Sequence, residues 1–152
     1  MIKAFRIAKA KHSRTAFSGE GAREAGGRWN FPGDAIVYSS STLSLAALET
    51  FVHLSQEAQA LEFVCFEVRL HESLPTERVE KPPAGWRMEP PGPASMRVGS
   101  KWFKERRTAG LWVPSALVPQ EFNLMLNPAH PDFVKMEISR PSKFSFDARM
   151  WK

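Results

Sequence analysis

The sequence predicts a mixed α+β fold, with largely antiparallel strands and flanking helices. Three observations carry that prediction. Short β-prone runs separated by Pro, Asn or Asp fill the C-terminal third, two segments show helical periodicity, and there is neither a βαβ rhythm nor a GxGxxG fingerprint. A Rossmann fold is therefore disfavoured.

The 152 residues suit one domain, 1–152, large enough to bury a core without disulfides or a structural metal. AIVYSS (35–40) follows the turn signal FPGD and reads as a strand. A helix follows over 41–56, capped by Ser41 or Thr42, with Leu45, Leu48, Val52, Ala46 and Phe51 recurring at three- and four-residue spacing. Glu49 lies in the middle of that helix, beside the apolar stripe. LEFVCFEVRL (61–70) reads as a central strand, and its Cys65, the single cysteine, as a small buried core residue.

PPAGWRMEPPGP (82–93) holds five of the twelve prolines and continues neither kind of element, so it reads as an irregular surface loop; an interdomain linker is the rival, disfavoured because the flanking pieces are short and apolar. In ASMRVGSKWFKERRTAG, Val98, Trp102 and Phe103 share a helix face and Gly110 is the expected terminator. LWVPSALV, EFNLMLNP, DFVKMEIS and KFSFDARM complete the chain as short, partly alternating strands.

Composition excludes several functions. Apolar residues at 43% and charged residues at 24% describe a globular chain. The basic start MIKAFRIAKAKHSR has no apolar h-region, and no run reaches the roughly 18 apolar residues of a membrane span, so a soluble, unexported cytoplasmic protein without membrane contact is expected. The net charge of +5 is scattered, with no long basic block, which argues against direct DNA binding.

The four histidines, His12, His53, His71 and His130, lack metal-ligand spacing, so no metal is assigned and they default to packing or surface roles. No GxSxG elbow supports a serine triad, and a buried Cys65 does not suit a Cys–His pair.

The remaining constellation is Arg28, Tyr38, Glu49 and Ser115. Arg28 follows Gly26-Gly27, a pair that permits unusual backbone angles and close ligand approach, and its guanidinium suits phosphate. Tyr38, the one tyrosine, sits near a strand end and can lie against a flat ring. Glu49, beside apolar neighbours, must be solvated, paired or used. Ser115 is a hydroxyl in WVPSALVP, fixed between two prolines. Singly, each has a plain structural reading: a tight turn, a half-buried strand aromatic, a carboxylate paired with Arg28, an ordinary turn.

Taken as an ordered set, GGRWN…VY…LAALE…VHL and VPS…N…LNPAHPDF make the chain resemble the RES domain, named for its arginine, glutamate and serine and found in toxins of bacterial toxin–antitoxin pairs. The match begins at FRIAKAKHSR and runs through PAGW and VGSKWF, nearly the whole chain, with the proline-rich loop and last dozen residues adding little. The resemblance implies an ADP-ribosyltransferase-like fold and cleavage of NAD, as substrate and not cofactor, at the nicotinamide–ribose bond. The acceptor it implies is inorganic phosphate in some members and a protein side chain in others. Carried over by position, Arg6 and Arg28 are phosphate-binding, Tyr38 the nicotinamide-side aromatic, Glu49 the central carboxylate and Ser115 the hydroxyl of the name. A cognate helix-turn-helix (Xre-type) antitoxin is implied as partner. The rival classes are a transferase that modifies a host protein and, last, a non-enzymatic nucleic-acid-binding module.

Overall fold

The computed structural model describes residues 1–152. The chain runs β1 (Ile2–Lys9), α1 (Glu20–Ala25), β2 (Val37–Ser40), α2 (Leu43–Phe51), β3 (Phe63–Leu70), β4 (Thr76–Arg78), α3 (Pro93–Lys104), β5 (Gly110–Pro114), β6 (Phe122–Leu126), β7 (Glu137–Ile138) and β8 (Ser142–Phe144), with short 3-10 turns between. All eight strands join one sheet in the order β4-β5-β6-β2-β1-β3-β7, with β8 on the same side of β3 as β7. Every pairing is antiparallel except β4 with β5.

The sheet has one weak seam. β1 matches β3 over eight residue pairs, and β2 matches β6 over four, but β1 and β2 meet only at Phe5 and Ser40. Within the sheet the two halves are joined by a single residue pair, with one core of Ala4, Val37, Val68 and Leu124 spanning both, and polar groups lining such an opening need other partners.

β5 is buried along its whole length because it is covered on both faces, as its unbroken apolar run requires. Trp112 faces a core with Val37, Val68, Leu124 and Leu126; Leu111 and Val113 face the opposite one, with Met125, Trp29 and Trp102 of α3. A third, small cluster of Ile7, Ala46 and Phe63 seats α2 on β1 and β3.

α3 starts at Pro93, which supplies the helical φ and needs no hydrogen-bond partner for its nitrogen. Ser95, Gly99, Ser100 and Trp102 are its buried residues. A Cβ built on Gly99 would lie 1.8 Å from the Trp29 carbonyl oxygen, so the helix packs directly on the backbone of the 28–31 turn. Ser95 Oγ donates to the Arg28 carbonyl (2.7 Å), and Ser100 Oγ accepts from Phe31 N (2.9 Å) while donating to Asp34 (2.5 Å). No buried side-chain polar atom of this tight contact is left without a partner.

Several sequence expectations need correction. In α2, Leu45 and Ala46 are the buried residues, whereas Leu48 (43% exposed) and Val52 (53%), which caps the C-terminal end, face outward, because this nine-residue helix seats only a narrow stripe on the sheet. Thr42 is its cap, accepting from Leu45 N. Gly110 does not end α3: the helix stops at Lys104, Arg106 turns the chain at φ 51°, and Gly110 opens β5. DFVKMEIS is mostly a 3-10 turn (Pro131–Lys135), followed by the two-residue β7. Cys65 is half-buried rather than enclosed. No helix is long and apolar enough to cross a membrane.

Candidate active site

Glu49 projects from α2 beside the seam. Its Oε2 accepts from Ser115 Oγ at 2.9 Å and also from Asn123 Nδ2. Neither partner is free to wander. The Ser115 hydroxyl accepts from Leu117 N and Val118 N, both at 3.1 Å, in the turn after β5, and its residue is completely buried. Asn123, on β6, accepts from Ser40 Oγ at 2.7 Å, opposite its register partner on β2. Ser115 thus holds the carboxylate and has no lone pair left for nucleophilic attack. The sequence left Glu49 a possible partner of Arg28; the structure pairs it with a serine and an asparagine, which fix it without neutralising it.

Arg6 fills the splayed seam. Its Nε donates to the Ala16 carbonyl (2.7 Å) and one NH group to the Tyr38 carbonyl (2.8 Å), satisfying the β2 oxygen that strand pairing leaves over. No carboxylate pairs with it, and burial pulls its pKa down to about 10, so it keeps its charge at neutral pH without a counter-ion.

The Gly26–Gly27 turn sets Arg28 and Tyr38. Gly26 has φ 74°, and a Cβ on Gly27 would meet the Tyr38 hydroxyl at 2.8 Å and Asn30 Oδ1 at 2.9 Å. The sequence suggested that this pair of glycines lets a ligand approach; the space is instead taken by the protein's own Tyr38–Asn30 contact. Tyr38 Oη donates to Asn30 (2.7 Å) and accepts from Trp29 N (3.2 Å), and burial pushes its phenol above the ordinary range. Arg28, 18% exposed, donates to the carbonyls of Trp86 (3.0 Å) and Met88 (2.7 Å) and pairs with Glu89 (2.9 Å), three groups of the proline-rich loop.

These side chains border a cleft with two lobes. The first, about 720 Å³, includes Arg28, Arg87, Glu89, Trp29 and Leu117; the second, about 450 Å³, includes Arg6, Lys9, Phe5, Ser40 and Thr50. Tyr38, Glu49, His53 and Asn123 border both lobes. The carboxylate therefore stands at the junction, with guanidinium groups on either side. Of the residues singled out from the sequence, Arg6, Arg28, Tyr38 and Glu49 line this cleft, and Ser115 lies behind Glu49. Sequence reasoning gave no role to Asn123, Arg87 or Glu89, and left His53 among packing and surface histidines. His53 lies in the turn just past the end of α2, its N donating to the Thr50 carbonyl, and that turn brings its side chain to the cleft beside Glu49. Asn123 was the asparagine of the VPS…N…LNPAHPDF series, but no role was attached to it.

Comparison with known proteins accounts for the arrangement. The RES domain family matches residues 3–147. The chain is 44% identical over 137 residues to the "Prs ADP-ribosylating toxin" of Sphingobium sp. (strain YBL2), covering 88% of this chain and 85% of that one. It is 37% identical to "Toxin Res" of Yersinia enterocolitica, covering 96% and 97%. The toxin–antitoxin complex of MbcT and MbcA from M. tuberculosis contains a chain with the same fold, at a TM-score of 0.70 and 17% identity, covering 94% of this chain and 84% of that one. The α+β architecture with largely antiparallel strands expected from the sequence is the one observed, and it is the fold of that chain. With the family match spanning almost every residue and the arginine, glutamate and serine gathered at one cleft, the chain belongs to the RES domain family.

Proposed function

We propose that this RES-domain protein is the toxin of a toxin–antitoxin pair and that it cleaves the nicotinamide–ribose bond of NAD, by phosphorolysis or hydrolysis, draining the cell's NAD. The observation that carries the reading is Glu49, un-neutralised and doubly held at the junction of a two-lobed cleft with a cation in each lobe. Departure of nicotinamide puts positive charge on the ribose C1′ and ring oxygen, and a fixed carboxylate stabilises that charge more in the transition state than in the ground state. Arg28 and Arg6 supply cationic ends for the pyrophosphate and for an acceptor phosphate, a matter of orientation and charge rather than proton transfer. Tyr38 offers an aromatic wall beside Glu49.

Ser115 acts in this scheme as a positioning residue. Ser115→Ala is expected to lower kcat about tenfold with little change in KM, because Glu49 keeps Asn123 but loses its second tether. It also strands the Leu117 and Val118 amides, so roughly 1–3 kcal/mol of stability should go with it. Steady-state kinetics and a thermal melt check both parts.

A second acceptor has its own support, since the Sphingobium relative is called an ADP-ribosylating toxin. The same cleavage would then deliver ADP-ribose to a host protein. An antitoxin of the helix-turn-helix, Xre type completes the proposal; the structural relative was solved as a toxin–antitoxin complex.

The test is mass analysis of NAD incubated with purified protein, with and without inorganic phosphate, alongside labelled NAD in cell lysate. ADP-ribose 1″-phosphate identifies phosphorolysis, free ADP-ribose hydrolysis, and a labelled protein band transfer. NAD left intact in every arm overturns the proposal.

A further inference from the structure

Arg28 has a counter-ion inside the cleft. Its NH1 donates to the Trp86 and Met88 carbonyls, and its NH2 donates to Glu89 Oε2 at 2.9 Å. Arg87, which lines the same lobe, donates through Nε and NH2 to the Ala116 carbonyl at 3.1 and 2.9 Å. Residues 86–89 therefore form a strap along the first lobe, pinned by one guanidinium that enters it and another that leaves it. The carbonyl contacts are neutral; Glu89 is the acidic group of the strap, and its side chain is 74% exposed.

We propose that Glu89 is an affinity-determining residue: its carboxylate holds the NH2 of Arg28 and is displaced by a phosphate of the nucleotide substrate. The inference rests on the reading of the cleft as an NAD site. Carboxylate and phosphate oxygens make the same charge-assisted contact with a guanidinium, so the two compete for one donor. They cannot share it closely without like-charge repulsion in a partly enclosed lobe. The two carbonyl contacts on NH1 keep the guanidinium in place when Glu89 swings out into water, and the phosphate replaces the contact that Glu89 gives up, so the exchange leaves no charge unpaired. Glu89 thus sets how tightly the substrate binds without anchoring the strap.

Calorimetric titration with ADP-ribose, which reads binding without turnover, tests this on the wild type, Glu89→Gln and Glu89→Ser. Both variants are expected to bind about two- to fivefold tighter at low salt, with the gap closing as salt rises. In an Arg28→Gln background the gain should vanish, which a merely structural role for Glu89 does not predict. Equal or weaker binding by both variants, at unchanged melting temperature, overturns the proposal and leaves the NAD site standing. Failure of wild type and variants alike to bind ADP-ribose overturns both.

Discussion

Glu49→Gln is expected to lower NAD turnover by about 10²–10³-fold with the melting temperature unchanged, the loss typical of one preorganised electrostatic group. The geometry makes this substitution unusually clean. Both protein contacts of the carboxylate fall on Oε2, from Ser115 and Asn123, while Oε1 takes no hydrogen bond from the protein. A glutamine can place its carbonyl oxygen where Oε2 stands, keep both contacts and turn its amide toward the cleft. What changes is charge, at the place where the proposed reaction puts the ribosyl cation. The change should therefore fall on kcat, with KM for NAD moved far less, since Arg6 and Arg28, the cations proposed to hold phosphate, are untouched. Kinetics on a variant with a wild-type melt provide the check, and turnover at the wild-type rate would remove Glu49 from the mechanism.

The strands that the sequence revealed are those whose burial shows in composition. LEFVCFEVRL and LWVPSALV are apolar because β3 and β5 are covered by neighbours, and both were legible. β1 was not. IKAFRIAK carries two lysines and an arginine, and read as a basic stretch, because one of those cations, Arg6, fills the seam where a strand partner would otherwise lie. The outward-facing Leu48 and Val52 misled for a related reason. A helix bordering a cleft presents apolar residues to its rim, Val52 among them, and periodicity does not distinguish rim from core.

The site was legible in kind but not in wiring. Arg6, Arg28, Tyr38, Glu49 and Ser115 were named from an ordered resemblance, yet which donor holds which acceptor depends on register. Asn123 reaches Glu49 because β6 pairs with β2 so that Asn123 lies opposite Ser40. No local pattern contains that fact. Likewise, a proline-rich loop announces only that it is irregular; that its carbonyls and Glu89 grip Arg28 across some sixty residues of sequence is a tertiary property.

Gly99→Ala is expected to cost ~3 kcal/mol or more, near the upper end for overpacking. On a domain of this size that should lower the melting temperature by roughly 6–12 °C. The added Cβ would sit 1.8 Å from the Trp29 carbonyl oxygen and 2.9 Å from Met125 Cε. The methionine can move, but the carbonyl belongs to the backbone. That backbone is tied on both sides, by Ser95 to the Arg28 carbonyl and by Ser100 to Phe31 N, so α3 and the 28–31 turn must separate together. Because Arg28 enters the cleft from this turn, the surviving folded molecules should also bind ADP-ribose more weakly. Gly21→Ala is the control. Its Cβ meets nothing within 4 Å on α1, and alanine is the better helix former, so its melt should match or slightly exceed the wild type. A Gly99→Ala protein that melts with the wild type and binds ADP-ribose equally well would mean that α3 does not set the position of Arg28, and that the turn is held by its own Tyr38–Asn30 contacts.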